Sequence, residues 1–280
     1  MQNEIFFVFF YLYLLPIISH SQNGNFSFGA RSAALGNASV TIHDAFAMFN
    51  NISGIAKIES LTTALAFENR YGVSSFNIIS AGVILPKKWG KTTLNIYKFG
   101  DEYYNEHKIG LGYANNLGMV SLGGQINYIQ YFIEGFGTKG AIVVEFGGIA
   151  EIIPELVFGA HIFNISQAKL QDPGQEYIAT IIKAGLSYRP ISKLMINLEA
   201  EKDVFYKARY KTGAEYEIVP KFFLRSGFTL RDKQGFHGIG FWPGRFQIDY
   251  TLSNNFQLGF SHQASLTYKF LAKKNDAGPH

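Results

Sequence analysis

The closing stretch of the chain, Phe246 to Phe270, alternates apolar and polar residues with a period of two. Phe246, Ile248, Tyr250 and Leu252 fall on one side, and Gln247, Asp249 and Thr251 on the other. After a short interruption, Ala264, Leu266, Tyr268 and Phe270 oppose Gln263, Ser265, Thr267 and Lys269. Successive side chains of a strand point to opposite faces, so the stretch predicts a hairpin with one greasy and one wet face. A soluble sandwich and a membrane barrel both carry this pattern. They differ in which face meets the surroundings.

The start of the chain sets the compartment. Ile5 to Leu15 is an apolar run that stops at Pro16, and Ser19-His20-Ser21 follows. This reads as a secretory signal peptide over residues 1–21, too short for a membrane-spanning helix, although its first residues carry no Lys or Arg. The chain has no cysteine, which excludes a disulfide framework, a thiolate metal site and a cysteine nucleophile. Lys and Arg number 25 against 21 Asp and Glu, a net charge of +4. The basic residues are scattered, so no nucleic-acid partner is expected. With 26 Phe, 16 Tyr and 29 Gly on a mean hydropathy of +0.03, the composition suits a barrel with aromatic girdles and many tight turns.

Residues 22–58 do not read as strands. Phe28 to Val40 is rich in small residues, as a segment packed inside something narrow would be. Asp44 predicts the cap of a short helix over residues 45–49, the one helix expected in the mature protein. Asn50-Asn51 and Ser53-Gly54 break it.

From residue 60 onward the chain predicts about fourteen strands, at 61–68, 74–85, 91–99, 106–115, 118–131, 138–149, 155–165, 177–189, 193–203, 206–217, 221–231, 234–241, 244–252 and 260–270. Turn signals such as Asn115-Asn116, Asp172-Pro173-Gly174 and Trp242-Pro243-Gly244 separate them. No stretch between them is long enough for a crossover helix, so the order is antiparallel, up and down. On the well-patterned strands the ionisable residues share a face with Asn, Gln and Thr, opposite Leu, Ile, Phe and Tyr. An all-β transmembrane antiparallel barrel satisfies this, because closure leaves no sheet edge in lipid. The expected organisation is a signal peptide (1–21), an N-terminal lumenal hatch or plug (22–58), the barrel (59–270) and a polar tail (271–280).

Glu199, Glu201, Arg209, Lys211, Glu215 and Glu217 occupy the wet faces of consecutive strands. They are expected to meet in the lumen, either as ion pairs that fill it or as a charged permeation or docking surface. Within the plug, Arg31, His43, Asp44, Asn50 and Asn51 are the candidate site residues, with Arg31 expected to pair with a lumenal acid. The seven His show no metal-ligand spacing, and no Gly-x-Ser-x-Gly is present. No metal, no cofactor and no enzymatic activity are expected.

The blocks Phe28–Ala38 and Asp44–Ala56, together with the closing pattern Gly240–Leu252 and Leu258–Phe270, resemble FadL-like outer-membrane proteins. The resemblance is nearest to the PorV/PorQ family of Bacteroidota. It covers both ends of the chain, while the middle agrees only in strand rhythm. Ile52 stands where that family usually has proline, and the tail after Phe270 departs from its pattern. The resemblance implies a 14-stranded barrel in the cell outer membrane with a hatch in its lumen. It also implies a role as an accessory of a type IX secretion or surface-protein assembly system, with protein partners and outer-membrane lipid around it. An alternative is a FadL-like transporter with a hydrophobic ligand, which implies a lumenal pocket beside residues 28–56 and a lateral gap in the wall. A structural subunit of a larger outer-membrane complex is the third reading.

Overall fold

The computed structural model describes residues 27–170 and 177–271. The signal segment, the first residues of the hatch and the tail beyond Leu271 lie outside the described residues. The strands are β1 (Thr62–Asn69), β2 (Asn77–Lys87), β3 (Gly90–Gly100), β4 (Tyr104–Asn116), β5 (Val120–Ile133), β6 (Gly137–Ile153) and β7 (Leu156–Phe163). They continue as β8 (Ile181–Ile191), β9 (Leu194–Asp203), β10 (Arg209–Val219), β11 (Phe222–Thr229), β12 (Gln234–Phe241), β13 (Phe246–Asn255) and β14 (Gly259–Lys269). Each pairs with its neighbours in sequence, and β1 pairs with β14, closing a barrel of fourteen strands. The hairpin with the period-two pattern therefore forms the seam, with Leu65 opposite Leu266 and Ala66 opposite Ser265.

The pattern resolves inside out relative to a soluble protein. Ser261, Gln263, Ser265 and Thr267 are buried, as are Asn127, Glu145, Lys183 and Glu199, while Leu65, Ile96, Ile109, Leu111 and Ile142 are half exposed or more. Greasy outside and polar inside is the arrangement of a barrel wall in hydrocarbon, with every backbone polar group paired between strands.

The two ends of the barrel differ. Both β1 and β14 meet their termini at one end, where the connections 88–89, 117–119, 154–155, 192–193, 220–221 and 242–245 are short. Gly118 (φ 83°) and Gly244 (φ 59°) supply the left-handed backbone that two of these turns need. The other end, the loop end, carries the longer connections 70–76, 164–180 and 204–208. The ladders are continuous, and register shifts occur only beside turns, at Glu151/Ile153, Tyr188/Ile191 and Glu217/Val219. Between β2 and β3 the pairing runs unbroken from Ile78–Phe99 to Lys87–Gly90. The lateral gap implied by the transporter alternative is thus absent among the described strands.

The hatch contains two helices where the sequence predicted one. These are α1 (Ala30–Ala34) and α2 (Ala47–Asn50), followed by a 3-10 segment at Ile52–Lys57. α1 has no side-chain cap and no acidic residue in its first turn, so it carries no local start signal. The barrel wall supplies what is missing: Ser265 Oγ accepts from Ala30 N at 3.1 Å, and Thr251 Oγ1 donates to Ala30 O at 2.5 Å.

Glycine builds the seat for this segment. A Cβ on Gly213 or Gly227 would collide with the backbone of Leu35 and Gly36, one on Gly159 with Val40 O, and one on Gly238 with the Ala34 methyl. The same holds at Gly82 under Met48 and at Gly112 under Ile52. The glycine load attributed to turns thus lies in good part on the inward face of strands, where it lets a folded chain fit inside a narrow barrel. Replacing Gly227 by Val should displace the hatch or cost about 1–3 kcal/mol as an overpacked contact. Limited proteolysis of the folded barrel would detect it as faster cleavage within residues 27–58.

Candidate functional site: the hatch and the vestibule above it

The hatch is tied to the wall by three buried polar clusters. In the first, Arg31 donates from Nε to Glu215 Oε2 (2.8 Å) and from Nη2 to Glu215 Oε1 (2.7 Å), a bidentate pair. Its Nη1 lies 3.5 Å from Asp44 Oδ2, and its guanidinium stands 5.0 Å from the Trp242 ring. Arg225 reaches the same Glu215 (2.6 Å) and also Asp249 (2.7 Å). Asp249 further accepts from Trp242 Nε1 (3.1 Å) and Gln247 Nε2 (2.9 Å). Two cations therefore meet three carboxylates in one network that joins α1 to β10, β11 and β13.

In the second cluster, Glu199 Oε2 accepts from both Ser39 N and Val40 N at 2.8 Å. Its other oxygen takes Lys211 Nζ at 2.9 Å, and Lys211 also donates to Glu201 at 2.7 Å. Lys183 and Arg209 complete the group at 3.8 and 3.6 Å from Glu201. A carboxylate holding two successive backbone N–H groups grips the chain itself, so side-chain changes in residues 38–40 would not release it.

In the third, Glu145 accepts from Gln125 Nε2 (2.6 Å) and Asn127 Nδ2 (2.9 Å) and sits 3.0 Å from His161 Nε2. Asn95 links this group to the hatch through Met48 O at 3.3 Å. Beside it the Lys108 ammonium is surrounded by four rings, Phe28 and Phe49 of the hatch and Tyr97 and Phe163 of the wall, at 5.4–6.0 Å from their centroids.

The predicted plug residues take distinct places. Asn50 holds Phe28 by both its N (2.8 Å) and its O (2.8 Å), and Asn51 caps the 3-10 segment and donates to Val40 O at 2.6 Å. Asp44 accepts from Ala47 N at 3.2 Å and turns toward Arg31, whereas His43 turns the other way, with Nδ1 3.3 Å from Gly54 O. His43 lies beside the Lys57–Glu151 pair near the turn end. Of the six predicted wall charges, Glu199, Glu201, Arg209 and Lys211 meet one another, and Glu215 meets Arg31 and Arg225 instead. Glu217 is not in either cluster; it accepts from Lys221 N (2.8 Å) at a turn. Sequence reasoning missed Arg225, Asp249, Glu145, His161, Lys183 and Lys108. Parity places Asp249 on the wet face without its partners and would have found Lys183, but the apolar run Phe222–Leu224 hides the parity of Arg225.

Burial first, and the Lys57 charge second, push His43 down from its ordinary range to about 4. Its folded value lies below its unfolded value of about 6.5, so its contribution to holding the hatch is whole above pH 6.5 and is lost as pH falls toward 4. The expected result is a rise in proteolytic access to residues 27–58 between pH 6.5 and 4. A His43→Gln variant should flatten the part of that rise due to this group.

Above the hatch, toward the loop end, a cavity of about 840 Å³ opens outward. Ser27, Ala33 and Asn37 form its floor. Its walls carry Arg70, Arg209, Lys211, Arg231 and Lys233 against Glu68, Glu201 and Asp232, five cations to three anions and so an excess of two. Tyr71, Phe236, Phe256 and Leu258 give it an apolar side. Below this vestibule the hatch fills the lumen, with Leu35, Phe46, Met48, Phe49, Ile52 and Ile55 fully buried.

A closed barrel of fourteen up-and-down antiparallel strands has solved counterparts. The toluene transporter TbuX of Ralstonia pickettii superposes with a TM-score of 0.68 at 12% identity, covering 88% of this chain and 99% of that one. The fold is FadL-like. The toluene transporter TodX of Pseudomonas putida (TM-score 0.65, 8% identity, 86% and 96% covered) and the monoaromatic hydrocarbon channel CymD (0.65, 10%, 87% and 98%) share it. No family model and no curated protein matches the sequence. At such identities the likeness to other FadL-like barrels is one of architecture.

Proposed function

We propose that this FadL-like barrel is an outer-membrane entry channel for small organic molecules, with its loop end outside the cell and the hatch as its gate. The observation that carries the reading is the vestibule, a cavity of about 840 Å³ above the hatch, walled by loop-end residues such as Arg70, Tyr71, Lys233 and Phe256. The short turns at one end and the longer loops at the other support this orientation. The neighbours TbuX, TodX and CymD are transporters or channels of toluene and other monoaromatic hydrocarbons. In this chain the apolar side of the vestibule suits a hydrophobic body, and its two excess cations favour a molecule with an anionic end. The proposal assigns the chain no catalytic step and no cofactor. Cells expressing the chain should take up labelled toluene or labelled oleate faster than cells with an empty vector. Equal rates for both probes would remove the support for this reading.

The unbroken wall favours a second reading. Passage through the hatch would leave only the turn end as an exit, and a sealed, heavily tied lumen also suits a barrel that acts through its surfaces. On that reading the chain is a PorV/PorQ-like accessory of a type IX secretion or surface-assembly system, as in Bacteroidota, and binds partner proteins. A pull-down from native membranes that returns large translocon or surface-attachment proteins, with no uptake phenotype, would favour it over the channel.

A further inference from the structure

The outward face of β3, β4 and β5 changes character near the loop end. Lys98, His107 and Gln130 are direct ladder neighbours, Lys98 opposite His107 and His107 opposite Gln130. Each lies within three residues of the loop end of its strand. One step further down the same face stand Ile96, Ile109 and Tyr128, each about half exposed at 50%, 53% and 46%. On β3 and β4 the apolar side chains of this face stop where the row begins, while Ile79 of β2 and Phe132 of β5 flank it.

The row has no internal partner. In the lumen and vestibule, Arg31, Arg70, Lys183, Arg209, Lys211 and Arg225 each lie beside an acid. Lys98, His107 and Gln130 make no side-chain hydrogen bond or ion pair among the described residues. The acids of these strands and of β6, namely Glu106, Glu145 and Glu151, all face inward, toward Tyr97 and Tyr104, His161, and Lys57 respectively. In the turn above, Asp101 is occupied by the backbone N–H groups of Tyr103 and Tyr104. A protonated His107 directly opposite Lys98 would be a like-charge pair, which an anion between the two relieves. An ammonium, an imidazole and an amide in one row offer donors to a group with several acceptor oxygens.

We infer that Lys98, His107 and Gln130 form a binding site for the phosphate of a phosphorylated lipid head group in the outer leaflet. The site rests on the orientation given above, with the loop end outward, and not on what passes through the lumen. Its place at the upper edge of the apolar band is where a lipid phosphate lies, and its charge complements that phosphate.

The test uses the full chain in detergent micelles, titrated with bis-phosphorylated lipid A and with the same lipid after enzymatic dephosphorylation, and read by native mass spectrometry. The site predicts tighter binding of the phosphorylated form. The double variant Lys98→Ala/His107→Ala should lower that affinity at least about tenfold, one such step corresponding to a single lost charge-assisted contact. Lys202→Ala serves as a control, since that outward lysine on β9 is engaged by the carbonyls of Asp203 and Val204 and should leave affinity unchanged. Heat-modifiable gel migration would confirm that each variant is folded. Equal affinity in the double variant, or equal binding of the dephosphorylated lipid, overturns the site. Phe136→Cys, labelled from outside intact cells, tests the orientation separately, so a failure there is distinguishable from a failure of the site.

Discussion

Replacing Glu215 by alanine should unseat the hatch, at a cost of about 3 kcal/mol. Glu215 is the carboxylate shared by Arg31 and Arg225, both buried to within a few per cent. Removing one partner of a buried pair leaves an uncompensated charge, worth roughly 3–5 kcal/mol. The lower end applies here, because Arg31 keeps Asp44 at 3.5 Å and Arg225 keeps Asp249 at 2.7 Å. Hatch proteolysis and the denaturant midpoint of the reconstituted barrel should both report the loss. Arg31→Met in the same background should recover part of it, since it removes one stranded cation. If the double variant were less stable than the sum of the two single changes, the network would not be organised around Glu215.

Placing arginine at Leu111 should cost roughly 2–4 kcal/mol, the expected penalty for that side chain near the bilayer midplane. Leu111 is 65% exposed on the outer face of β4, about midway between His107 and the turn end of the strand. A comparable change at Phe76, in the connection at the loop end, should cost no more than about 1 kcal/mol, because the penalty falls away toward the interface. Unfolding of both variants from lipid vesicles measures the difference. Equal costs would mean that the outer face does not sit in hydrocarbon.

The barrel was legible in the sequence because a period of two is an unambiguous strand signal when one face is apolar and the other polar. The fourteen expected strands correspond in order to the fourteen present, with ends displaced by a few residues. The blurred alternation of β6 and β7 has a physical cause. Ala141, Val143, Ile149, Val157 and Phe163 face inward yet are apolar, and Val143 and Phe163 pack in a cluster with Leu170 and Ile178 of the loop that follows β7. Here the lumen is greasy on both sides of the strand, so alternation fails as a guide. α1 was not legible, since its hold comes from Thr251 and Ser265, more than two hundred residues away. The charges were legible one strand at a time but not their partners: Glu215 and Glu217 differ by two residues, and one joins the hatch network while the other ends in a turn. Nor could composition tell that glycines at 159, 213 and 227 serve as a seat for the hatch rather than as turns.

The central claim is that buried charges hold the hatch across the lumen and so close it. Single-channel recording in planar lipid bilayers tests this most directly, comparing the intact protein with the variant Glu215→Ala/Glu199→Ala, which removes the grip on both Arg31 and the backbone of Ser39 and Val40. The intact barrel should carry no steady ion current, and the folded double variant should show frequent openings. A steady current through the intact protein, or the same silence in both, would contradict the claim.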